Sequence, residues 1–236
     1  MTFTFPGGTS LSHLDVYEDA APDGVCGGSP HMHLVSTEAY IVVEGRGALQ
    51  AIDSAGFHET ELRAGSVVWF TPGTIHRAVN RGGLKVVVLM SNAGLPEAGD
   101  AVMTFPSETL ADPAAYDEAA SIGDSYNRSA RVARRRDLAV TGFEALRDAV
   151  LEGDPGPLED FHAAAGALVL ARAEYWGPLV REKPLAQAER SLALTRAVAR
   201  GDLAHLGEAR VRQAVPSEGE RAFGMCGRLR TYYVND

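Results

Sequence analysis

Two histidines and a glutamate stand close together in Pro30-His31-Met32-His33-Leu34-Val35-Ser36-Thr37-Glu38. On a strand, residues two apart share a face, so His31 and His33 present their imidazoles the same way. A turn then suffices to bring Glu38 back beside them. Neutral imidazole and carboxylate are borderline-to-hard ligands that suit one divalent ion: Zn²⁺, Fe²⁺, Mn²⁺, Ni²⁺ or Cu²⁺. With no thiolate in the set, a closed structural zinc site is disfavoured and an open, catalytic-type site is expected. A fourth ligand has to come from another strand. His76, after the Pro72-Gly73 turn, offers one, so the expected ligands are His31, His33, Glu38 and His76.

The elements that must position them are short. Leu14–Tyr17, Tyr40–Val43, Val67–Phe70 and Lys85–Met90 are β-branched and aromatic runs, and glycines punctuate them in Glu44-Gly45-Arg46-Gly47, Ser54-Ala55-Gly56, Arg63-Ala64-Gly65 and Asn80-Arg81-Gly82-Gly83. Many short strands separated by tight turns indicate a barrel or sandwich. The stretch from Ser91 to Ser107, with Gly94, Pro96, Gly99 and Pro106, reads as a connector. Beyond it the period changes. Ala139, Phe143, Leu146 and Val150 recur at helical spacing within 128–151, as do Leu158, Phe161, Ala165 and Leu168. Further helices are expected from about Pro184 and again after Asp202, giving about four. The working division is a β-barrel over 1–105 and an α-helical domain over 106–236. Ala149-Val-Leu-Glu-Gly153-Asp154 recurs 48 positions later as Ala197-Val-Ala-Arg-Gly201-Asp202. We read this as shared cap punctuation, glycine ending one helix and aspartate starting the next.

The spacing His-x-His-x4-Glu-x6-Gly from His31 to Gly45, followed by Gly73-x2-His76-x3-Asn80, resembles the two motifs of the cupin superfamily. The 19 residues between Gly45 and Gly65 are similar to the inter-motif distance of that family. Two positions depart from the pattern: Val25 stands where a glycine is usual, and Pro72 directly precedes Gly73. Neither is a ligand. The resemblance implies a double-stranded β-helix (jelly-roll) barrel with the metal in its mouth, followed here by a helical extension. It covers fewer than half the residues.

Around the expected ligands, Tyr40 and Val42 share the strand face of Glu38, and Asn80 shares that of His76, so all three are expected in the pocket wall. Arg77 should point away from the cavity, and of Trp69 and Phe70 one must face inward and the other outward. Arg46 is read as a solvated turn residue. His13, His58, His162 and His205 have no companion pattern. The run Arg131, Arg134, Arg135 and Arg136 is read as a solvated helix face paired with Asp137, Glu144 and Asp148.

Composition excludes several classes. A net charge of −9, about −6 of it in residues 1–106, leaves no footprint for nucleic acid. No apolar run is long enough to span a bilayer, and the N-terminus has no secretory pattern. Cys26 and Cys226 are too few for a disulfide framework and are read as free thiols, so the cytoplasm is expected. Twenty arginines against Lys85 and Lys183 suggest a GC-rich bacterial genome. The expected function is a metal-dependent enzyme acting on a small polar metabolite, with dioxygenase, decarboxylase, isomerase or cyclase chemistry implied by the resemblance. The alternative is a non-catalytic metal- or metabolite-binding protein with a sensing role. A homodimer is expected, because exposed sheet edges call for cover.

Overall fold

The computed structural model describes residues 4–123 and 127–234. Nine strands lie between residues 10 and 103: β1 (Ser10–Val16), β2 (His31–His33), β3 (Glu38–Glu44), β4 (Arg46–Asp53), β5 (Gly56–Arg63), β6 (Val67–Phe70), β7 (Ile75–Asn80), β8 (Lys85–Met90) and β9 (Ala101–Met103). Helices follow: α1 (Ser107–Leu110), α2 (Pro113–Ala120), α3 (Arg128–Glu152), α4 (Gly156–Ala173), α5 (Trp176–Val180) and α6 (Ala186–Ala199). The chain then returns to strand as β10 (Ala214–Pro216), β11 (Ala222–Phe223) and β12 (Gly227–Val234).

These strands make a jelly roll of two antiparallel sheets. One is seven-stranded, in the order β10-β12-β1-β8-β3-β6 with β11 on β12, and the other five-stranded, in the order β5-β4-β7-β2-β9. Leu14, Tyr40, Val42, Val86 and Val88 of the first sheet meet Leu49, Leu62 and Ala78 of the second in an inner core. The five-stranded sheet is covered on its other face too. Ile52, Ile75, Val102 and Met103 pack there with Phe143 of α3 and Phe161 and Leu168 of α4. Every residue of β7 is therefore buried, as expected of a strand sandwiched between two layers.

Helix α3 lies close on the sheet because its contact residue is a glycine. A β-carbon at Gly142 would fall 2.0 Å from the carbonyl oxygen of Thr104, and the Thr104 hydroxyl donates to the Ala139 carbonyl at 2.8 Å.

The part expected to be helical departs from that at three points, the first being the return of β10, β11 and β12 to the seven-stranded sheet. After Asp202 there is a single 3₁₀ turn, Ala204–Glu208, with no buried residue. Leu203 and Leu206 are exposed and Val211 fully so, so their spacing had no face to pack against and no helix was sustained. The arginine run is also not wholly a solvated face. Arg135 and Arg136 are buried. Arg135 donates to the Gly224 carbonyl at 2.6 Å, and Arg136 to those of Asp19 and Ala20, each at 2.9 Å. The cap reading of the short repeat holds for the glycines, whereas Asp154 and Asp202 are not N-caps: Pro155 caps α4, and no α-helix follows Asp202. Gly153 and Gly201 both take left-handed φ, 79° and 76°. The amides of Asp154 and Asp202 donate back to Ala149 and Ala197, and both aspartate side chains accept an amide two residues on.

Candidate metal centre

The two sheets bring the four expected ligands together. β2 and β7 are adjacent in the five-stranded sheet with His31 directly opposite His76, and β3 carries Glu38 across from the other sheet. One potential ligand atom from each of His31, His33, Glu38 and His76 lies within 4.8 Å of all the others. Nε2 of His33 and Nε2 of His76 approach the same oxygen, Glu38 Oε2, at 3.1 and 3.2 Å. All four residues are buried.

The nitrogens facing away from the centre are already engaged. His31 Nδ1 lies 2.9 Å from the Ser29 carbonyl and His76 Nδ1 3.2 Å from that of Thr74. A carbonyl only accepts, so both rings carry their hydrogen on Nδ1 and direct the Nε2 lone pair inward. His33 Nδ1 faces Asp100 Oδ2 at 3.6 Å. Glu38 Oε2 and His76 Nε2 are buried without a hydrogen-bond partner, although an unsatisfied buried polar atom is costly. A divalent cation at their meeting point would satisfy both, and the N₃O donor set fits one.

The electrostatics agree. Burial, helped by His76 and His33 nearby, holds the His31 pKa well below its ordinary value, so this imidazole is neutral and free to ligate. Burial opposes charge on His33 as well, but the carboxylates of Asp100 and Glu38 outweigh it and lift the pKa to about 9. Glu38 is driven low: burial works against the carboxylate, yet His33 and His76 prevail. The carboxylates of Glu38 and Asp100 thus favour positive charge beside them.

Asp100 is the residue that sequence reasoning missed. Fully buried, it accepts the amides of Leu34, Val35 and Ser36 at 3.1, 2.8 and 2.9 Å and so shapes the loop between His33 and Glu38. It lies in what reads as a connector, and no local pattern marks it.

The expected wall residues are placed differently from the ligands. A cavity of about 420 Å³ opens in front of His31, His33 and Glu38. Tyr40, Val42 and Asn80 are not among its lining residues. Val42 belongs to the inner core. Asn80 ties strands together, donating to the Val16 carbonyl and accepting the amides of Gly82 and Leu84. Tyr40 lies behind the ligands, edge-on to Phe70 and His76, and its hydroxyl donates to Cys226 Sγ at 3.6 Å. Burial pushes that thiol up to about 12, so Cys226 is a protonated wall residue; Cys26 is not in the lining. Phe70 faces inward against the His76 ring at 4.1 Å, and Trp69 points outward, 70 % exposed.

Residues 17–92 match the family model described as Cupin domain. No curated protein matches the chain. Several solved structures are similar to part of this chain. An uncharacterised conserved protein with a double-stranded β-helix domain from Klebsiella pneumoniae subsp. pneumoniae MGH 78578 is 21 % identical over 35 % of this chain and 62 % of its own, with TM-score 0.25. Oxalate oxidase in complex with the substrate analogue glycolate is 20 % identical over 38 % and 54 %, with TM-score 0.26. WlaRA, a TDP-fucose-3,4-ketoisomerase from Campylobacter jejuni, is 12 % identical over 34 % and 58 %, with TM-score 0.30. The match thus spans less than two thirds of each of these chains.

Proposed function

We propose that this protein, whose residues 17–92 form a cupin domain, is a metal-dependent enzyme acting on a small molecule bound in the cavity before the His31, His33, Glu38 and His76 cluster. The observation that carries this reading is the convergence of four potential ligand atoms on one buried point, with His31 and His76 oriented from behind by backbone carbonyls. A bound divalent ion would supply a Lewis acid or an oxygen-activating centre.

This chain's own residues do the rest. Ser29, Thr74 and Asp100 hold the rings in register. Phe70 and Tyr40 seal the back of the site, so exchange with solvent runs through the cavity. His31, His33 and Glu38 reach that cavity, which leaves one side of the cluster accessible to a substrate oxygen.

Metal analysis of protein purified without added metal tests the reading. We expect close to one Zn, Fe, Mn or Ni per chain, and its loss in His31→Ala and in His76→Ala. Unchanged metal content in both variants would overturn the ligand assignment. Oxygen uptake with candidate substrates then separates dioxygenase from isomerase or cyclase chemistry, and tight binding without turnover would favour the sensing role instead.

We also propose that the chain forms a homodimer through the edge of the seven-stranded sheet. There β6, the last strand of the sheet, exposes Val67 and Trp69 beside Ile41 and Val43 of β3, an apolar strip along the sheet edge.

A further inference from the structure

The walls of the cavity come from β1, β8 and β12, three adjacent strands of the seven-stranded sheet. Leu14, Val88, Met90, Met225 and Leu229 make them largely apolar, and the less buried Ser10, Ser12 and Thr231 add hydroxyls. Among the described residues neither an arginine nor a lysine lines the cavity, and its carboxylates are Glu38 and the exposed Glu97. Its volume lies within the roughly 300–1,000 Å³ typical of small-molecule sites, which are mostly apolar with a few convergent polar groups.

The lack of cations is a consequence of register. β12 reads Gly227-Arg228-Leu229-Arg230-Thr231, so basic and neutral side chains alternate across the sheet. Pairing with β1 sets Leu229 opposite Leu14 and Thr231 opposite Ser12, which puts these neutral side chains at the cavity, where Tyr232 and Tyr233 line it as well. The two guanidiniums are engaged elsewhere: Arg228 stacks 3.5 Å from the centre of the Phe223 ring, and Arg230 donates to the carbonyls of Ser217 and Gly219 at 2.7 and 3.0 Å. A slip of one residue would turn both toward the cavity. His33, which also lines the cavity, is already held between Glu38 and Asp100.

We infer that the cavity takes an uncharged molecule with a mainly apolar body and one polar end directed at the histidine cluster, and that it discriminates against small carboxylate anions. A carboxylate entering here would give up its hydration with no free cationic side chain to receive it, whereas an apolar body gains by leaving water. This narrows the substrate class, and it rests on the metal-site reading only for the anchoring of the polar end.

The test uses the full chain after chelator treatment, so that the cavity walls alone are measured and a failed metal assignment leaves the result intact. Phenylacetamide and phenylacetate have the same shape and differ in charge. Calorimetric titration at neutral pH should show phenylacetamide binding about tenfold or more tightly than phenylacetate. Leu229→Arg, or Thr231→Lys at an exposed position that leaves the core untouched, should abolish or reverse that preference, and Arg228→Ala should leave it unchanged. Equal or tighter binding of phenylacetate by the unaltered protein, or no binding of either compound, would overturn the inference.

Discussion

Asp100 shows how one buried carboxylate can serve both a loop and a proposed ligand. Its Oδ2 accepts the Ser36 amide and faces His33 Nδ1, so Asp100→Asn would place an amide donor against two N–H groups. We expect the variant to fold, to lose about 1–3 kcal/mol of stability, and to bind metal about tenfold to a hundredfold more weakly; denaturant titration and a competitive chelator assay measure the two effects. A second residue-scale pair lies on the other side of β7. Arg77 points away from His76, as its position in the strand requires, yet it is only 1 % exposed. Its charge is met by Asp23, with a further bond to the Val25 carbonyl at 3.1 Å. Burial alone would raise the Asp23 pKa, but the Arg77 guanidinium and the Val25 amide outweigh it and the net shift is downward. The unfolded chain therefore takes up this proton more readily than the folded one. The stabilisation is complete above the ordinary carboxylate range and is lost as pH falls through the lowered folded value. Asp23→Ala should cost about 2–3 kcal/mol near neutral pH, allowing for partial solvation of Asp23, and should flatten the fall in stability toward pH ~3. Urea melts of both proteins across that range check it; parallel acid limbs would exclude the pair as their cause.

At the scale of elements, the contact between α3 and the barrel sets two effects against each other. Replacing Gly142 by alanine would favour the helix by about 1 kcal/mol on propensity alone. The added methyl, however, would sit 2.0 Å from the Thr104 carbonyl. Because that oxygen is backbone, α3 must move off the sheet, disturbing Phe143 against Phe57. Overpacking of this kind costs about 1–3 kcal/mol or more, so Gly142→Ala should be destabilising in a chemical melt despite its better propensity; a stabilised variant would show that the helix rides higher than described. The same helix is latched to the barrel by Arg135 and Arg136, whose donors go to carbonyls in the loop after β1 and in the segment before β12. These bonds satisfy backbone groups that have no partner strand, which is why two charges in an arginine run are buried.

For the molecule as a whole, metal and association are the two quantities a global measurement can read. If the cluster binds an ion only when folded, saturating metal at one hundred times Kd adds about 2.7 kcal/mol, so chelation should lower the melting temperature and re-addition of the ion should restore it. An unchanged transition would argue that no ion is held. The exposed strip of Val67, Trp69, Ile41 and Val43 predicts a dimer mass in light scattering and a monomer for Trp69→Glu, because one buried charge facing its symmetry mate twice is costly across a twofold interface. A monomeric unaltered protein would sink the proposal.

What the sequence determined by itself is local and periodic. The ligand types and their spacing, the strand face shared by His31 and His33, the turns and the helices at 128–152 and 156–173 all rest on interactions a few residues apart. Gly45 illustrates the limit of that legibility: its place in the motif is visible, but the reason, a β-carbon falling 2.1 Å from the Gly83 carbonyl, is not. The tertiary structure alone decided which groups stand behind the ligands and which wall the cavity. Asp100 reaches His33 across 67 positions of sequence. β12, with Leu229 and Thr231, returns from the far end of the chain to pair with β1, taking wall positions where Val42 and Asn80 were expected. The side chain of Asn80 is instead held by strand-end amides and a carbonyl. Strand pairing over such separations is set by register and burial summed over both sheets. It leaves no mark in any short window of residues, and it was enough to keep Arg228 and Arg230 out of the cavity.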